Sequence, residues 1–223
     1  MNFDLSYMLE VLPGIIKYIP ITLLLAVVSM FFAIVIGLVI ALIRNSNIFG
    51  LSHLASLYIS LFRGMPTLVQ LFIIYYGLPQ IFPSLTTMGA MTAAIIGFSL
   101  KESSYLAEIF RAGLNSVEKG QMEAGLAIGM KKSQIYFRII LPQAALNALP
   151  ATGNTFISLT KETSLAFTLG ITELFAEGKM IASASMRFFE TYLAVGLVYW
   201  LLIILYSWGQ KYLEIWLSKP LRR

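Results

Sequence analysis

Long uncharged stretches alternate with short polar ones along this chain, and the lengths of the uncharged stretches are what first limit its structure. No residue from Tyr18 to Ile43 is charged, and at 1.5 Å per residue roughly 25 helical residues reach about 37 Å, enough for a tilted crossing of a bilayer. A second stretch, about 54–78, is broken only by Arg63 and ends in the turn signals Gly77-Leu78-Pro79 and Phe82-Pro83. A third apolar stretch, about 88–112, is not uncharged, since it holds Lys101, Glu102, Glu108 and Arg111. A fourth, about 139–160, is uncharged but holds Pro142, Pro150 and Gly153, so an irregular helix is expected there, with neighbours or a water-lined cavity satisfying the freed backbone groups. A fifth, about 191–213, is uncharged from Thr191 to Gln210. The pattern predicts an all-α membrane protein with five transmembrane helices in a single domain over 1–223.

Composition agrees with that picture. Of 223 residues 58% are hydrophobic and 12% charged, against about 45–50% apolar in ordinary soluble domains. There is no cysteine and one histidine, which excludes disulfides and thiolate metal sites and leaves little for a metal centre or a catalytic triad. The first apolar run follows the acidic Asp4 and Glu10 and stays uncharged for about 25 residues, so a permanent span is expected rather than a cleaved signal peptide.

The net charge of +5 could suggest nucleic acid, but the basic residues flank apolar spans and form no arm or finger. They sort by side of the membrane instead. Arg44, then Arg111, Lys119, Lys131, Lys132 and Arg138, then Lys211, Lys219, Arg222 and Arg223 fall on one side. The other side carries only Lys17, Lys179 and Arg187. The positive-inside rule then puts the N-terminus outside and the C-terminus inside.

The largest segment on the positive side, about 113–142, reads Glu123-Ala124-Gly125, three residues, Gly129, nine residues, Ile139, one residue, Leu141-Pro142. This resembles the EAA loop of ABC importer permeases, with Gly125 at the second alanine as its one departure. The resemblance implies a short coupling helix docking in a groove of an ATPase subunit, with Glu123, Ala124, Gly125, Gly129, Leu141 and Pro142 as its marker positions. Small residues at Ala124, Gly125, Ala127 and Gly129 suit close helix contact, and Glu123 offers a carboxylate to a basic partner or to its own helix N-terminus. The run Gly125 to Ser133 is no phosphate loop, because Met130 stands where a glycine must precede Lys131. ATP and magnesium therefore belong to a partner chain; no cofactor is expected in this one.

Four further segments resemble the polar amino-acid branch of that family, which includes the histidine, glutamine, arginine and cystine importers. They are Phe62 to Pro66 with Leu68 to Phe72, Tyr105 to Arg111 leading to Val117 to Gln121, Lys161 to Leu165, and Phe189 to Tyr192. Met65, Glu162, Lys101 and Glu102 depart from the usual pattern, which has threonine, aspartate and two uncharged residues there. The resemblance implies the type I (MetI-like) permease fold in a bacterial cytoplasmic membrane. Its implied partners are an ATPase dimer, an extracytoplasmic amino-acid-binding protein, a second permease copy or paralogue, and membrane lipid. It implies a substrate pathway over Arg63, Gln70, Glu162, Thr163 and Ser164. The rival reading is a self-contained secondary transporter or channel driven by an ion gradient; a membrane-embedded enzyme has no motif to support it.

Ionisable residues within spans cost several kcal/mol unless paired or facing water, so Arg63, Lys101, Glu102, Lys161 and Glu162 are functional candidates. Arg63 suits a substrate carboxylate and Glu162 an ammonium, with Thr163 and Ser164 as further oxygen ligands. The alternative pairs Arg63 with Glu162, or each with a neighbour, to relieve burial. Glu108 and Arg111 are expected to pair on one helix face. Tyr75 and Tyr76 suit a membrane interface, and His53 is expected in a short solvated loop.

Overall fold

The computed structural model describes residues 3–46 and 48–218, and every regular element among them is helical. The first helix, α1 (Leu5–Ile16), starts where the Asp4 carboxylate accepts the Tyr7 amide at 3.1 Å. It buries Met8, Val11 and Ile15, which helical periodicity puts on one face. Pro20 then opens α2 (Ile19–Asn45) in a first turn that has no use for its missing N–H. With α11 (Phe188–Ser218), α2 is one of two helices among the described residues that are long and apolar enough to cross a membrane. Their ends lie within a few residues of the expected 18–43 and 191–213. Lys219, Arg222 and Arg223 lie outside the described residues.

The second apolar stretch is not one helix. It divides into α3 (Leu51–Gly64) and a segment over Thr67–Ile81, bent by 108° at the break. Pro66 is the cause, because its ring excludes the preceding residue from helical conformation, and Met65 accordingly sits at φ −96°, ψ 136°. The expected span over 54–78 is thus built from two helical segments that meet at a bend. His53 also lies in the first turn of α3 rather than in a loop, exposed and edge-on to Phe49 at 5.3 Å.

Beyond the break run α4 (Thr67–Phe72), a wide i→i+5 turn over Ile73–Gly77, and α5 (Leu78–Ile81). The same wide turn appears over Tyr136–Ile140. Each wide turn ends just before a Leu-Pro pair, Leu78-Pro79 and Leu141-Pro142. A proline cannot donate to the carbonyl four residues back and its ring clashes there, so widening the turn relieves both faults without ending the helix.

Between them comes α6 (Ala90–Asn115), followed by α7 (Lys119–Ala127), α8 (Lys132–Ile135) and α9 (Leu141–Glu162). The irregularity expected of the fourth helix falls at Pro142 and not at Pro150 or Gly153. α9 passes through Pro150 and Gly153 unbroken, and the irregularity falls at its two ends. Gly153 leaves room for the Gln210 side chain of α11, whose amide donates to the Pro150 carbonyl at 3.3 Å. After Glu162 the chain tightens into a 3₁₀ helix over Thr163–Leu169, turns at Gly170 with φ +84°, and enters α10 (Leu174–Ser185).

α6 is the hub, touching α2, α3, α4 and α9. It approaches α2 so closely that a Cβ on Gly37 would lie 2.9 Å from the Leu106 Cβ, the kind of backbone contact small residues allow between apolar helices. Leu25, Met30, Leu71, Phe98, Leu106 and Leu159 fill the core around it. Outward, α2 exposes Val27, Phe31, Val35 and Leu42, and α11 exposes Trp200, Leu201, Leu205 and Trp208. Such apolar surface is costly in water and fully solvated by hydrocarbon.

α1 is clasped to the start of α11. The Arg187 guanidinium donates to Asp4 at 2.5 Å and lies 4.5 Å from the Tyr7 ring, while the Asp4 amide donates to Glu190 at 3.3 Å. The Tyr7 amide, and after it Arg187, hold the Asp4 carboxyl below its ordinary range. Asp4 in return raises the Arg187 guanidinium above its own.

Candidate functional site

Midway along α6 stand two charges in succession. The Lys101 ammonium donates to Glu102 at 2.7 Å and to Glu162, the last residue of α9, also at 2.7 Å. The second Glu162 oxygen accepts the Thr67 hydroxyl from the first turn of α4 at 3.2 Å. The side chains of Lys101 and Glu102 are 9% and 2% exposed, that of Glu162 29%. Burial on this scale is tolerable because each charge is met by an opposite one at hydrogen-bond distance.

Tyr105, one turn further along α6, has the Lys101 ammonium 4.9 Å and the Arg63 guanidinium 5.1 Å from its ring centroid, close enough for cation–π attraction. Arg63 is exposed. The pairing of Arg63 with Glu162 weighed from sequence does not occur; Lys101 holds that place. Gln70 closes the α3–α4 break, its amide nitrogen donating to the Phe62 and Met65 carbonyls at 2.9 and 2.8 Å. These two carbonyls can only accept, so the nitrogen must face them. The Gln70 oxygen is buried without a partner among the described residues.

Thr163 and Ser164 are not brought to the Glu162 carboxylate. Thr163 is buried and donates to the Thr160 carbonyl at 2.7 Å; Ser164 donates to the Lys161 carbonyl at 2.8 Å. Ser164 and Lys161 instead line a separate open cavity of about 560 Å³ with Phe175, Tyr192 and Tyr199. Bonded to two of these lining residues, Phe175 and Tyr199, is Glu173, fully buried, which sequence reasoning missed. It caps α10 by accepting the Ala176 and Phe175 amides at 2.8 and 3.0 Å, and it also accepts the Tyr199 hydroxyl at 2.8 Å. An acidic residue just before an apolar helical run was the available signal, since that is the position of an N-cap.

Nearer the Asn115 end of α6, Glu108 pairs with Arg111 as expected, at 2.7 and 3.1 Å. It also pairs with Arg44 at the end of α2, a partner that spacing could not reveal.

In the segment that resembles the EAA loop, α7 ends in a Schellman motif. The Met130 amide donates to the Gly125 carbonyl and the Gly129 amide to the Leu126 carbonyl, both at 3.0 Å, with Gly129 at φ +81°. Gly129 is therefore small for its backbone conformation, and nothing lies within 4 Å of where its Cβ would be. Gly125 is small because Ile135 of α8 packs on it, leaving 2.7 Å for a Cβ. Each glycine therefore has a reason within the chain for being small, beside the close contact with a partner expected of both. Exposed toward the end of α7 are Glu123, Ala124, Leu126 and Ala127, followed by its C-cap Ile128 at 77%. Glu123 also edges a cavity of about 350 Å³ with Asn115, Lys119 and Tyr136. Leu141 and Pro142 follow the second wide turn, at the start of α9.

The family model described as "Binding-protein-dependent transport system inner membrane component" matches residues 33–219. A probable amino-acid permease protein of Bacillus subtilis (strain 168), YxeN, is 61% identical over 221 residues, covering 99% of each chain. The L-cystine transport system permease protein TcyL of the same organism is 40% identical over 210 residues, 92% of this chain and 88% of that one. Among solved structures, an amino acid ABC transporter crystallised with histidines superposes with a TM-score of 0.87 at 34% identity, covering 96% of this chain and 99% of that one. The methionine ABC transporter MetNI, in an inward-facing form, gives 0.75 at 21% identity, covering 97% and 99%, and speaks for the fold alone. The chain belongs to the binding-protein-dependent inner-membrane permeases of ABC importers, within their amino-acid branch. That is a transport family rather than an enzyme family, and it displaces the self-contained transporter weighed above.

Proposed function

We propose that this chain, as one transmembrane domain over 1–223, carries a polar L-amino acid, with cystine a candidate, across a bacterial cytoplasmic membrane by alternating access. A separate ATPase dimer supplies the energy, an extracytoplasmic binding protein delivers the substrate, and a second permease copy or paralogue completes the pathway. ATP and magnesium sit on the ATPase. Five crossings are made by α2, the bent pair α3 to α5, α6, α9 with its 3₁₀ extension, and α11, with the N-terminus outside and the C-terminus inside. The charge bias of the connections supports that orientation. α7 is the coupling helix, docking through Glu123, Ala124 and Ile128, while Gly125, Gly129, Leu141 and Pro142 hold its shape and its join to α9.

One observation carries the substrate half of the reading. Glu162 ends α9 as a partly open carboxylate, backed by Lys101 and Thr67, with exposed Arg63 across the Tyr105 ring. It is suited to an α-ammonium, and Arg63 to the α-carboxylate. Gln70 shapes the wall between them; Thr163 and Ser164 support the end of α9.

The test uses the complex purified with its ATPase. Glu162→Gln should leave assembly intact and weaken amino-acid stimulation of hydrolysis by about tenfold to a hundredfold, the worth of a charge-assisted hydrogen bond. Ala124→Arg, on the open face of α7, should abolish co-purification of the ATPase without disturbing membrane insertion. Normal stimulation in the first variant or normal assembly in the second sinks the corresponding half.

A further inference from the structure

The Lys101 ammonium is already bonded to Glu162, at 2.7 Å. Of the four charges gathered here, Lys101 and Glu102 are closed off, and Glu162 and Arg63 are the ones a solute can reach. One Glu162 oxygen is bound to the Lys101 ammonium and the other accepts the Thr67 hydroxyl. Two cations against two carboxylates leave the cluster neutral, and the nearby Lys161 lines a different cavity.

We infer that Lys101 is a specificity-determining residue: its buried ammonium occupies the one reachable carboxylate and excludes amino acids with a basic side chain. The inference rests on the substrate reading of Glu162 given above. An incoming α-ammonium that shares Glu162 lies about 4–5 Å from the Lys101 nitrogen, since both bond oxygens of one carboxylate. A zwitterion survives this crowding because its own carboxylate goes to Arg63 and the cluster stays neutral. A basic amino acid brings a second cation for which no unpaired carboxylate remains, in a setting where unscreened like charges repel strongly. Without Lys101 and Glu102 the cluster would still be neutral, but Glu162 would stand unpaired and open to either ammonium.

The experiment is equilibrium binding of radiolabelled L-glutamine and L-arginine to the purified permease–ATPase complex, without binding protein. Wild type should prefer glutamine by at least tenfold. Lys101→Arg should keep that preference. The double variant Lys101→Met/Glu102→Gln, which removes the buried pair together so that neither charge is stranded, should narrow it severalfold. A wild type that binds arginine as well as glutamine overturns the inference, as does a folded double variant with an unchanged ratio. Glu162→Gln keeps the two readings separate. If it leaves glutamine binding intact, or if wild type binds neither probe, the substrate reading falls and this inference with it. If it weakens binding while the double variant keeps its ratio, only the role of Lys101 falls.

Discussion

α6 carries two charge clusters, about two turns apart, built from the same kinds of side chain and placed in different surroundings. Lys101, Glu102 and Glu162 tie α6 to α9 with side-chain exposures of 9%, 2% and 29%. Glu108, Arg44 and Arg111 tie α6 to α2 and to its own next turn, at 21%, 30% and 36%. In the first, losing Lys101 leaves Glu102 with no water to turn to; in the second, water and salt fill the gap. Ion pairing therefore shapes the core at one level of the helix and only trims the surface at the other.

The largest effect should come from breaking the closed cluster on one side. Lys101→Met strands Glu102 and should destabilise the complex by about 3–5 kcal/mol, read as a lower thermal unfolding midpoint, while adding Glu102→Gln should restore most of the loss. A single variant as stable as wild type would erase the distinction between the clusters. Glu108→Gln should cost no more than about 1 kcal/mol, with the difference from wild type shrinking as salt is raised. A loss as large as that of Lys101→Met would show that the open cluster is structural after all.

A third ion pair, Asp4 with Arg187, sharpens the comparison from the exposed extreme. The folded state holds the Asp4 carboxyl below its ordinary value, so its contribution is present above the unfolded value of about 3.9 and fades as pH falls through the lower folded one. The protection factors of the α1 amides, which take out the intrinsic pH dependence of exchange, should be high at neutral pH and fall below about pH 4 in wild type. In Asp4→Asn, α1 should exchange somewhat faster at neutral pH and show no such step. An unchanged acid step in that variant would assign it to another group.

Legibility tracked the range of the physics involved. Uncharged length announced α2 and α11 because the bilayer sets a minimum that few other folds need. The bend at Met65-Pro66 was equally readable, since it follows from local sterics, but the apolar run on both sides masked it. Pro150 misled in the other direction, marking an irregularity that α9 does not have. Glu108 with Arg111 was found from helical spacing; Glu108 with Arg44 was not, because the two lie on different helices.

What the sequence determined by itself is what depends on neighbours along the chain: the apolar runs, the bias of basic residues to one side, the spacing from Glu123 to Pro142, and the family these define. What only the tertiary structure decided is which distant charges meet. Nothing near Lys101 specifies Glu162, and Arg63 was as plausible a partner on chemistry alone. The choice was made by the close packing of α6 with α9 and the bend that carries Arg63 over Tyr105, because a buried ion is stabilised only by the partner that packing brings within a few ångströms.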